Sequence, residues 1–218
     1  MKIYGIPDKV KGVIFDIDNT LYRNEDYVRD QRDRLLERFA EVKGMSREQA
    51  EKIITGYIEN GPGEKRKTSM GNAFLAYGIP ITESVKWREE LCRPDKFLAP
   101  DNKLKAALKV LSGHVILLAV TNNPRLTGER TLETLGIKEL FYLISGLDDT
   151  GVSKPAEEPF RVPLEKAGLE PAHVLAVGDR YEVDLKVPLA LGMGAILAES
   201  MEDIYNIPAV LRISGGDR

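Results

Sequence analysis

The ten residues KGVIFDIDNT, numbered 11–20, decide the fold class of this 218-residue chain. Residues 11–15 form a mainly apolar run, bounded by turn formers and too short for a helix, so they predict a short buried strand. Asp16 then stands at the carboxyl end of that strand. Further runs of strand length occupy residues 114–120, 143–144, 173–177 and 195–197, with helix-like segments between them. This alternation predicts an α/β fold with a doubly wound parallel sheet.

Residues 23–95 follow a different pattern, because they contain helical segments and no run that indicates a strand. The sequence SREQ at residues 46–49 has the form of a capping box, which predicts a helix that begins at Ser46. The sequence GPG at residues 61–63 predicts a turn between two helices. We therefore predict a catalytic core formed by residues 1–22 and 96–218, with a helical cap of residues 23–95 inserted into it.

The composition argues against several classes of partner. Charged residues make up 30% of the chain, but the formal net charge is only −3, so the sequence predicts no nucleic-acid or anionic-membrane surface. No apolar stretch approaches the roughly 20 residues that span a bilayer. We therefore expect a soluble cytoplasmic protein. We expect it to be a monomer or a homodimer. Cys92 is the single cysteine, which excludes an internal disulfide.

Two carboxylates directly follow the first predicted strand. Asp16 and Asp18 are two residues apart, and no basic residue stands among residues 16–20 to offset their repulsion. Such a pair suits a divalent cation and a nucleophile with a partner general acid, because oxygen-rich sites bind magnesium. Taken alone, the segment is also compatible with an ordinary polar loop after a strand.

Two further positions supply groups that can bind a phosphoryl oxygen. Thr121 and Asn122 follow the strand predicted at residues 114–120, and their hydroxyl and amide groups can donate hydrogen bonds. Both are common turn residues, so this signal is weak by itself. Lys154 lies in a loop before a helix predicted to begin near Glu157, where a point cation can hold both a nucleophile and phosphoryl oxygens.

A second pair of carboxylates follows the strand predicted at residues 173–177. Asp179 comes directly after Gly178, and Asp184 lies five residues further on. Because ligands of open α/β sheets bind at the carboxyl ends of the strands, we expect Asp179 to complete a cation site with Asp16. Each of these positions has an ordinary structural interpretation. Together, however, they supply a nucleophile, hydrogen-bond donors, a cation and a metal ligand in a consistent order along the chain, and this combination is informative.

Together these segments resemble the four signature motifs of the haloacid dehalogenase superfamily. The first motif matches residues 15–21, the second Thr121-Asn122, the third Lys154-Pro155 and the fourth residues 178–184, in the same order and spacing. The match covers residues 10–22 and 96–200, while the cap matches only by position and helical character. The resemblance implies a Rossmann-like core, an inserted cap, Mg²⁺ dependence and the phosphatase branch of the superfamily.

The resemblance also implies roles for the four acidic residues. Asp16 would attack phosphorus, and Asp18 would act first as a general acid and then as a general base. The Mg²⁺ ion would be held by the Asp16 carboxylate, the Asp18 main-chain carbonyl and the Asp179 carboxylate, with Asp184 supporting the metal shell. Because relatives that remove halide lack an acid at the position of Asp18, a dehalogenase is disfavoured. Asn19 stands where many relatives have glycine.

The remaining motif residues would bind the transferred group. Thr121 and Asn122 would contact the phosphoryl oxygens, and Lys154 would neutralise them as a catalytic residue. The implied activity is Mg²⁺-dependent hydrolysis of a small phosphorylated metabolite through an aspartyl phosphate. The run at residues 15–22 is similar to pyrimidine 5′-nucleotidase-like members and is also compatible with phosphoglycolate phosphatase-like ones, so a nucleotide, a sugar phosphate and phosphoglycolate all stay open.

Two alternatives to a hydrolase remain at this point. A phosphomutase of the same superfamily would use the same four motifs, and a phospho-acceptor signalling module would also combine a strand-end Asp with Thr and Lys. In and next to the cap, Tyr22, Tyr27 and Tyr57 could stack on a nucleobase or pack the cap. The basic run at residues 65–67 could meet an anionic substrate or face solvent.

Overall fold

The computed structural model describes residues 1–60 and 69–213. Within these ranges the core is one six-stranded sheet with the strand order β1-β6-β5-β2-β3-β4. The strands are β1 (Lys2–Gly5), β2 (Gly12–Phe15), β3 (Ile116–Val120), β4 (Leu143–Ser145), β5 (Val174–Gly178) and β6 (Gly194–Leu197). Strands β2 to β6 pair in parallel with their neighbours, and β1 pairs antiparallel with β6.

Strand β2 lies at the centre of the sheet between β3 and β5. Its last residue, Phe15, pairs with Ala119 of β3 and with Val177 of β5. The polar residues that follow these three strands are therefore brought side by side at one edge. All four residues of β2 are buried, as expected for a parallel strand covered on both faces.

Helices cover both faces of the sheet. Val13 and Phe15 belong to a core cluster that includes residues of the helices at 102–112, 125–134 and 201–210, whereas Ile14 belongs to a cluster with Phe160 and Leu164 on the other face. The described helices are α1 (Glu25–Lys43), α2 (Arg47–Asn60), α3 (Met70–Ala76), α4 (Ile81–Leu91), α5 (Asn102–Ser112), α6 (Arg125–Thr134), α7 (Leu147–Thr150), α8 (Glu158–Ala167), α9 (Lys186–Ala190), α10 (Met201–Tyr205) and α11 (Ile207–Val210). The predicted doubly wound α/β fold is confirmed.

The sheet differs from the prediction at one edge and at four strand starts, one of which is that of β6, at Gly194 rather than at residue 195. Sequence patterning predicts a parallel sheet and does not identify β1, because all four of its residues are exposed and it lacks the apolar run of a strand buried on both faces. The strands predicted to begin at residues 11, 114 and 173 begin one or two residues later. His114 lies in a turn before β3, and His173 ends a short 3-10 helix before β5.

Helices α1 to α4 lie between β2 and α5 in the chain and share a core of their own. That cluster includes Leu36 and Phe39 of α1, Phe74 of α3 and Trp87 of α4. The described residues between 23 and 95 form no strand. This pattern is what an inserted helical cap requires, although the exact division into residues 1–22, 23–95 and 96–218 stays a prediction.

The predicted capping box forms at the start of α2. The Gln49 main-chain N–H donates to Ser46 Oγ at 3.2 Å, and the Ser46 N–H donates to Gln49 Oε1 at 3.0 Å. The predicted turn at residues 61–63 and the basic run at 65–67 lie outside the described residues. None of the described helices combines the length and apolar character that crossing a membrane needs.

Candidate active site

Side chains from four parts of the chain converge at the carboxyl edge of the sheet. Asp16 directly follows β2, Thr121 follows β3 and Asp179 follows β5. The parallel register places these strand ends next to one another. Lys154 reaches the same edge from the loop between α7 and α8, where its ammonium group contacts Asp16. The predicted convergence of the four motifs is therefore present in the structure.

Lys154 is a buried cation held by three acceptors. Only 1% of its surface is exposed. Its Nζ donates to Asp16 Oδ1 at 2.6 Å, to Asp184 Oδ1 at 2.8 Å and to the main-chain carbonyl of Val120 at 3.0 Å. Burial by itself would lower the pKa of Lys154, but the two carboxylates outweigh that effect and the pKa is raised. Lys154 thus places a fixed positive charge beside Asp16.

Asp16 is also buried, like Lys154, and burial makes its ionised form less stable than it would be in water. The Thr20 hydroxyl donates to Asp16 Oδ2 at 2.8 Å. Burial raises the pKa of Asp16 to about 7, although the Lys154 ammonium acts in the opposite direction and the Asp184 carboxylate adds to the increase. Lys154 alone therefore does not neutralise the carboxylates around Asp16, and a further cation bound next to Asp16 would stabilise them.

Three carboxylates form a group that fits a divalent cation. Asp16, Asp179 and Asp184 each place one oxygen within 4.8 Å of the others. Asp179 Oδ1 is buried and accepts no hydrogen bond within the described part of the chain, with Arg180 Nε 3.5 Å away. Its other oxygen accepts from Asn19 Nδ2 at 3.0 Å, and burial raises the pKa of Asp179. Hard carboxylate oxygens, one of them without a hydrogen bond, are what Mg²⁺ prefers.

Asp184 is itself a member of this carboxylate group, whereas the sequence predicts only that it supports the metal ligands from behind. One of its oxygens accepts from Lys154, and the other accepts from the main-chain N–H of Arg180 at 3.1 Å. This approach depends on Gly178, because a Cβ at that position would lie 2.4 Å from the Asp184 Cβ. The Asp18 side chain is outside the carboxylate group, and its predicted metal contact through the main-chain carbonyl stays a prediction.

Asp18 is held by three hydrogen-bond donors of the core. Tyr22 donates to its Oδ1 at 2.8 Å, while Thr121 Oγ1 and Asn123 Nδ2 donate to its Oδ2 at 2.9 and 3.0 Å. Gln31 of α1 extends this network, because its amide oxygen accepts from Asn123 at 3.3 Å. The carboxylate is therefore oriented before any substrate binds, which suits a group that must transfer a proton at a defined place.

We expect Tyr22→Phe to slow turnover by roughly 3- to 10-fold with little change in stability, because it removes one of three hydrogen bonds that orient Asp18. The rate constant for hydrolysis of an aryl phosphate is the measurement. Tyr142→Phe is the matched control, since the Tyr142 ring is 64% exposed. Equal rates for the Tyr22→Phe variant and the unmodified protein would contradict an orienting role for the hydroxyl.

The structure places Thr121 and Asn122 in more specific contacts than the sequence indicates. The Thr121 hydroxyl donates to Asp18 and accepts from the Asn123 main-chain N–H at 3.0 Å. The Asn122 side chain donates to the Lys154 carbonyl at 3.2 Å and accepts from the Lys154 N–H at 2.8 Å. Thr121 thus helps to orient the Asp18 side chain, and Asn122 fixes the main chain of Lys154, while their predicted contact with phosphoryl oxygens stays a prediction.

A cavity of about 290 Å³ lies between the sheet edge and the cap helices. Asp16, Asp18 and Asn122 line its core side, and Leu35, Met70 and Arg88 are among the residues that line its cap side. The nucleophile and proton-transfer candidates thus face a space that is lined on its other side by cap helices. A leaving group bound there would contact α1, α3 and α4.

The three tyrosines in and next to the cap pack within the protein. Tyr22 and Tyr27 are buried, with ring centroids 5.7 Å apart. The Tyr57 ring contacts the Tyr77 ring edge-on at 5.9 Å. Of the two interpretations that the sequence leaves open, packing is the one that these contacts favour, and Tyr22 has the added contact with Asp18.

Several side chains in this region are missed by sequence reasoning, Asn123 and Arg88 among them. Asn123 contacts Asp18, and its position next to Thr121 and Asn122 at a strand end was a usable signal. Arg88 lines the cavity from α4, but nothing in the sequence distinguishes it from its neighbour Lys86, which is exposed. Only the rotation of α4 about its axis separates the two.

The chain resembles known proteins along most of its length. A family model described as haloacid dehalogenase-like hydrolase matches residues 10–192. A glyceraldehyde 3-phosphate phosphatase of Methanothermobacter thermautotrophicus is 27% identical, with 88% of this chain and 86% of that protein covered. A phosphoglycolate phosphatase of Neisseria gonorrhoeae is 26% identical, with 79% of this chain and 73% of that protein covered.

Solved structures support the same fold. The crystal structure of a HAD phosphatase from Thermococcus onnurineus superimposes with a TM-score of 0.65 at 21% identity, covering 96% of this chain and all of that one. The predicted family and the predicted class of enzyme, a phosphatase, are confirmed by these matches. The chain belongs to the haloacid dehalogenase-like hydrolase family.

Proposed function

We propose that this protein hydrolyses phosphate monoesters of small metabolites with the help of Mg²⁺, through a phosphoryl group carried on Asp16. The observation that carries the proposal is the buried contact of Lys154 with both Asp16 and Asp184, with Asp16 at the wall of the cavity. A carboxylate beside a fixed cation and a further ligand group matches the requirements of phosphoryl transfer, which depends mainly on positioning and electrostatic stabilisation.

In the first step, a carboxylate oxygen of Asp16 forms a bond to phosphorus as the bond from phosphorus to the leaving-group oxygen breaks. Asp18 in its protonated form gives its proton to that oxygen, so that an alcohol departs rather than an alkoxide. Lys154 keeps its positive charge and offsets the negative charge of the phosphoryl oxygens near Asp16. A bound Mg²⁺ would be held by Asp16 and Asp179 and would neutralise more of that charge.

In the second step, a water oxygen attacks phosphorus and the bond to Asp16 breaks, which releases inorganic phosphate and restores the carboxylate. Asp18 takes the proton of the water. The three hydrogen bonds that Asp18 accepts suit this step, because they orient an ionised carboxylate that is ready to receive a proton. One residue thus serves both steps, in opposite protonation states.

The dimensions of the cavity support a small substrate. Its volume of about 290 Å³ is at the lower end of the range of roughly 300–1,000 Å³ that ligand pockets occupy. The relatives described above are named for phosphate esters of two- and three-carbon compounds. A metabolite of similar size is the substrate class that we propose for this chain.

The cavity between the sheet edge and the cap helices favours turnover over signalling. A phospho-acceptor module needs an accessible aspartate and no binding site for a leaving group, whereas here α1, α3 and α4 contribute side chains above Asp16. A phosphomutase would return the phosphoryl group to a sugar. Stoichiometric release of inorganic phosphate from a monoester supports the hydrolase, and transfer without release would indicate the mutase.

The test of the proposal is hydrolysis of an aryl phosphate with and without Mg²⁺. We expect activity with Mg²⁺, loss of activity in excess chelator and recovery when Mg²⁺ is added back. The Mg²⁺ concentration for half-maximal rate should increase as the pH falls below about 7, because the Asp16 carboxyl, with its pKa raised to about 7, must ionise before it can bind the ion. Full activity in excess chelator would contradict the proposal.

A further inference from the structure

Arg88 of α4 is a buried cation at the wall of the cavity. Only 4% of its surface is exposed, and it lines the same space as Asp16 and Asp18. Among residues 1–60 and 69–213, no carboxylate lies within 4.0 Å of its guanidinium. Burial lowers the pKa of Arg88, but arginine stays protonated in proteins. The protein therefore places a buried positive charge, without an ion-pair partner among the described residues, at the cap side of the site. The longer-range attraction of the Asp18 carboxylate offsets part of the cost of burial, and the rest requires an explanation.

The other arginines of the cavity are compensated. Arg32 Nη2 lies 2.7 Å from Glu51 Oε1, and Arg180 Nε lies 3.5 Å from Asp179 and 3.7 Å from Asp184. Arg32 and Arg180 are also partly exposed, so water screens their charge. Arg88 differs from both in its burial and in its lack of an acidic partner among the described residues.

The guanidinium of Arg88 is held in place by neutral groups. Nη1 donates to the Ser84 carbonyl at 3.1 Å and to the Ser84 hydroxyl, one turn earlier in α4. The guanidinium carbon lies 5.9 Å from the centre of the Phe74 ring, which is itself stacked on Phe39. The contacts that the structure records use Nη1 only, and a guanidinium has five N–H donors. The group is oriented and retains donors for a further acceptor.

We propose that Arg88 binds a second anionic group on the leaving part of the substrate. This inference rests on the proposed function, in which the phosphoryl end lies against Asp16. The substrate class is then a small phosphate monoester that carries a carboxylate or a second phosphoryl group in addition to the one removed. An oxyanion bound by the guanidinium fork would compensate the buried charge and hold the scissile bond in position.

Three esters on one two-carbon skeleton test the proposal in the unmodified protein. The compounds are 2-hydroxyethyl phosphate, phosphoglycolate and ethylene glycol bisphosphate, which differ only in carrying a hydroxyl, a carboxylate or a second phosphoryl group. We expect kcat/KM to be about 10- to 100-fold higher for at least one of the two anionic esters than for the hydroxyl compound, because hydrogen bonds to charged groups contribute more than neutral ones. The preferred anion identifies which oxyanion the subsite binds.

Arg88→Gln should remove this preference. We expect its kcat/KM for the preferred anionic ester to fall about 10- to 100-fold while that for 2-hydroxyethyl phosphate changes by less than about 3-fold. Arg88→Lys should retain part of the preference, because it keeps the charge and loses the planar fork. Lys86→Gln is the matched control, since it removes the same charge from the exposed side of the same helix and should leave all three rates unchanged.

The outcomes separate the subsite from the proposed function. Hydrolysis of all three esters with equal kcat/KM would overturn the subsite while the phosphatase activity stands. An Arg88→Gln variant that loses the same factor on all three would also overturn it, because that result indicates a structural role. Failure to hydrolyse any ester, including an aryl phosphate, would overturn the proposed function and the subsite together. The comparison of substrates needs no variant, so it stands even if Arg88→Gln does not fold.

Discussion

Replacing Asp16 with Asn is expected to reduce phosphatase activity by about 10⁴-fold or more, with no covalent phosphoenzyme detectable. The amide has nearly the shape of the carboxyl group but cannot attack phosphorus. The fold should be retained, because the substitution removes a buried charge that is costly to maintain and leaves Lys154 its contact with Asp184. Rapid-quench labelling with an aryl phosphate measures the phosphoenzyme, and circular dichroism reports the fold.

Asp18→Asn is the matched comparison, because it makes the same chemical change two residues away. Proton transfer contributes roughly 10²- to 10⁴-fold, so this variant should be slow with ordinary esters. With a good leaving group that needs little protonation, the first step should partly survive and the phosphoenzyme should accumulate, since Asp18 is also needed to activate water. A phosphoenzyme that appears in Asp16→Asn and never in Asp18→Asn would mean that the two roles are reversed.

Replacing Lys154 with Met should have the largest effect on stability. The variant leaves the buried carboxylates of Asp16 and Asp184 without their common cation, which is expected to lower the free energy of unfolding by about 3–5 kcal/mol. Urea denaturation in the presence of chelator is the measurement. Added Mg²⁺ should restore part of the loss, because the ion brings positive charge to the same carboxylates. Catalysis should fall as well, since phosphoryl charge is no longer offset.

Lys138→Met provides the control for this prediction. Lys138 also contacts two carboxylates, with Nζ 2.6 Å from Glu133 Oε1 and 3.1 Å from Glu129 Oε2, but these groups are on the surface. Exposed ion pairs contribute roughly 0–1 kcal/mol, so the control should lose less than about 1 kcal/mol. If Lys154→Met and Lys138→Met are equally stable, the contacts of Lys154 with Asp16 and Asp184 do not stabilise the fold more than a surface ion pair does.

The order of the elements along the chain accounts for what could be predicted about the site. Asp16, Thr121 and Asp179 each end an apolar run of strand length, and parallel strands bring their carboxyl ends to one edge. The convergence of these residues therefore follows from local patterns alone. The helical character of the cap is also local, and the hydrogen bonds between Ser46 and Gln49 confirm one of its predicted starts.

Other features have no local signal. The residues of strand β1 are exposed and carry no strand pattern of their own. They form a strand because they pair with the edge of β6, which is distant in the sequence. Lys154 resembles a solvated loop lysine in the sequence. Its burial between Asp16 and Asp184 depends on residues 138 and 30 positions away in the chain.

The sequence by itself determined the fold class, the family and the identity of the acidic residues at the sheet edge, because each depends on short-range pattern and on the order of strands and helices. Tertiary structure alone decided which partners those residues have. It joined Asn122 to the backbone of Lys154, Tyr22 to Asp18 and Arg88 to the cavity, because side-chain direction is set by packing between distant segments. The substrate class that we propose rests on such contacts, which is why it is argued from the structure rather than from the motifs.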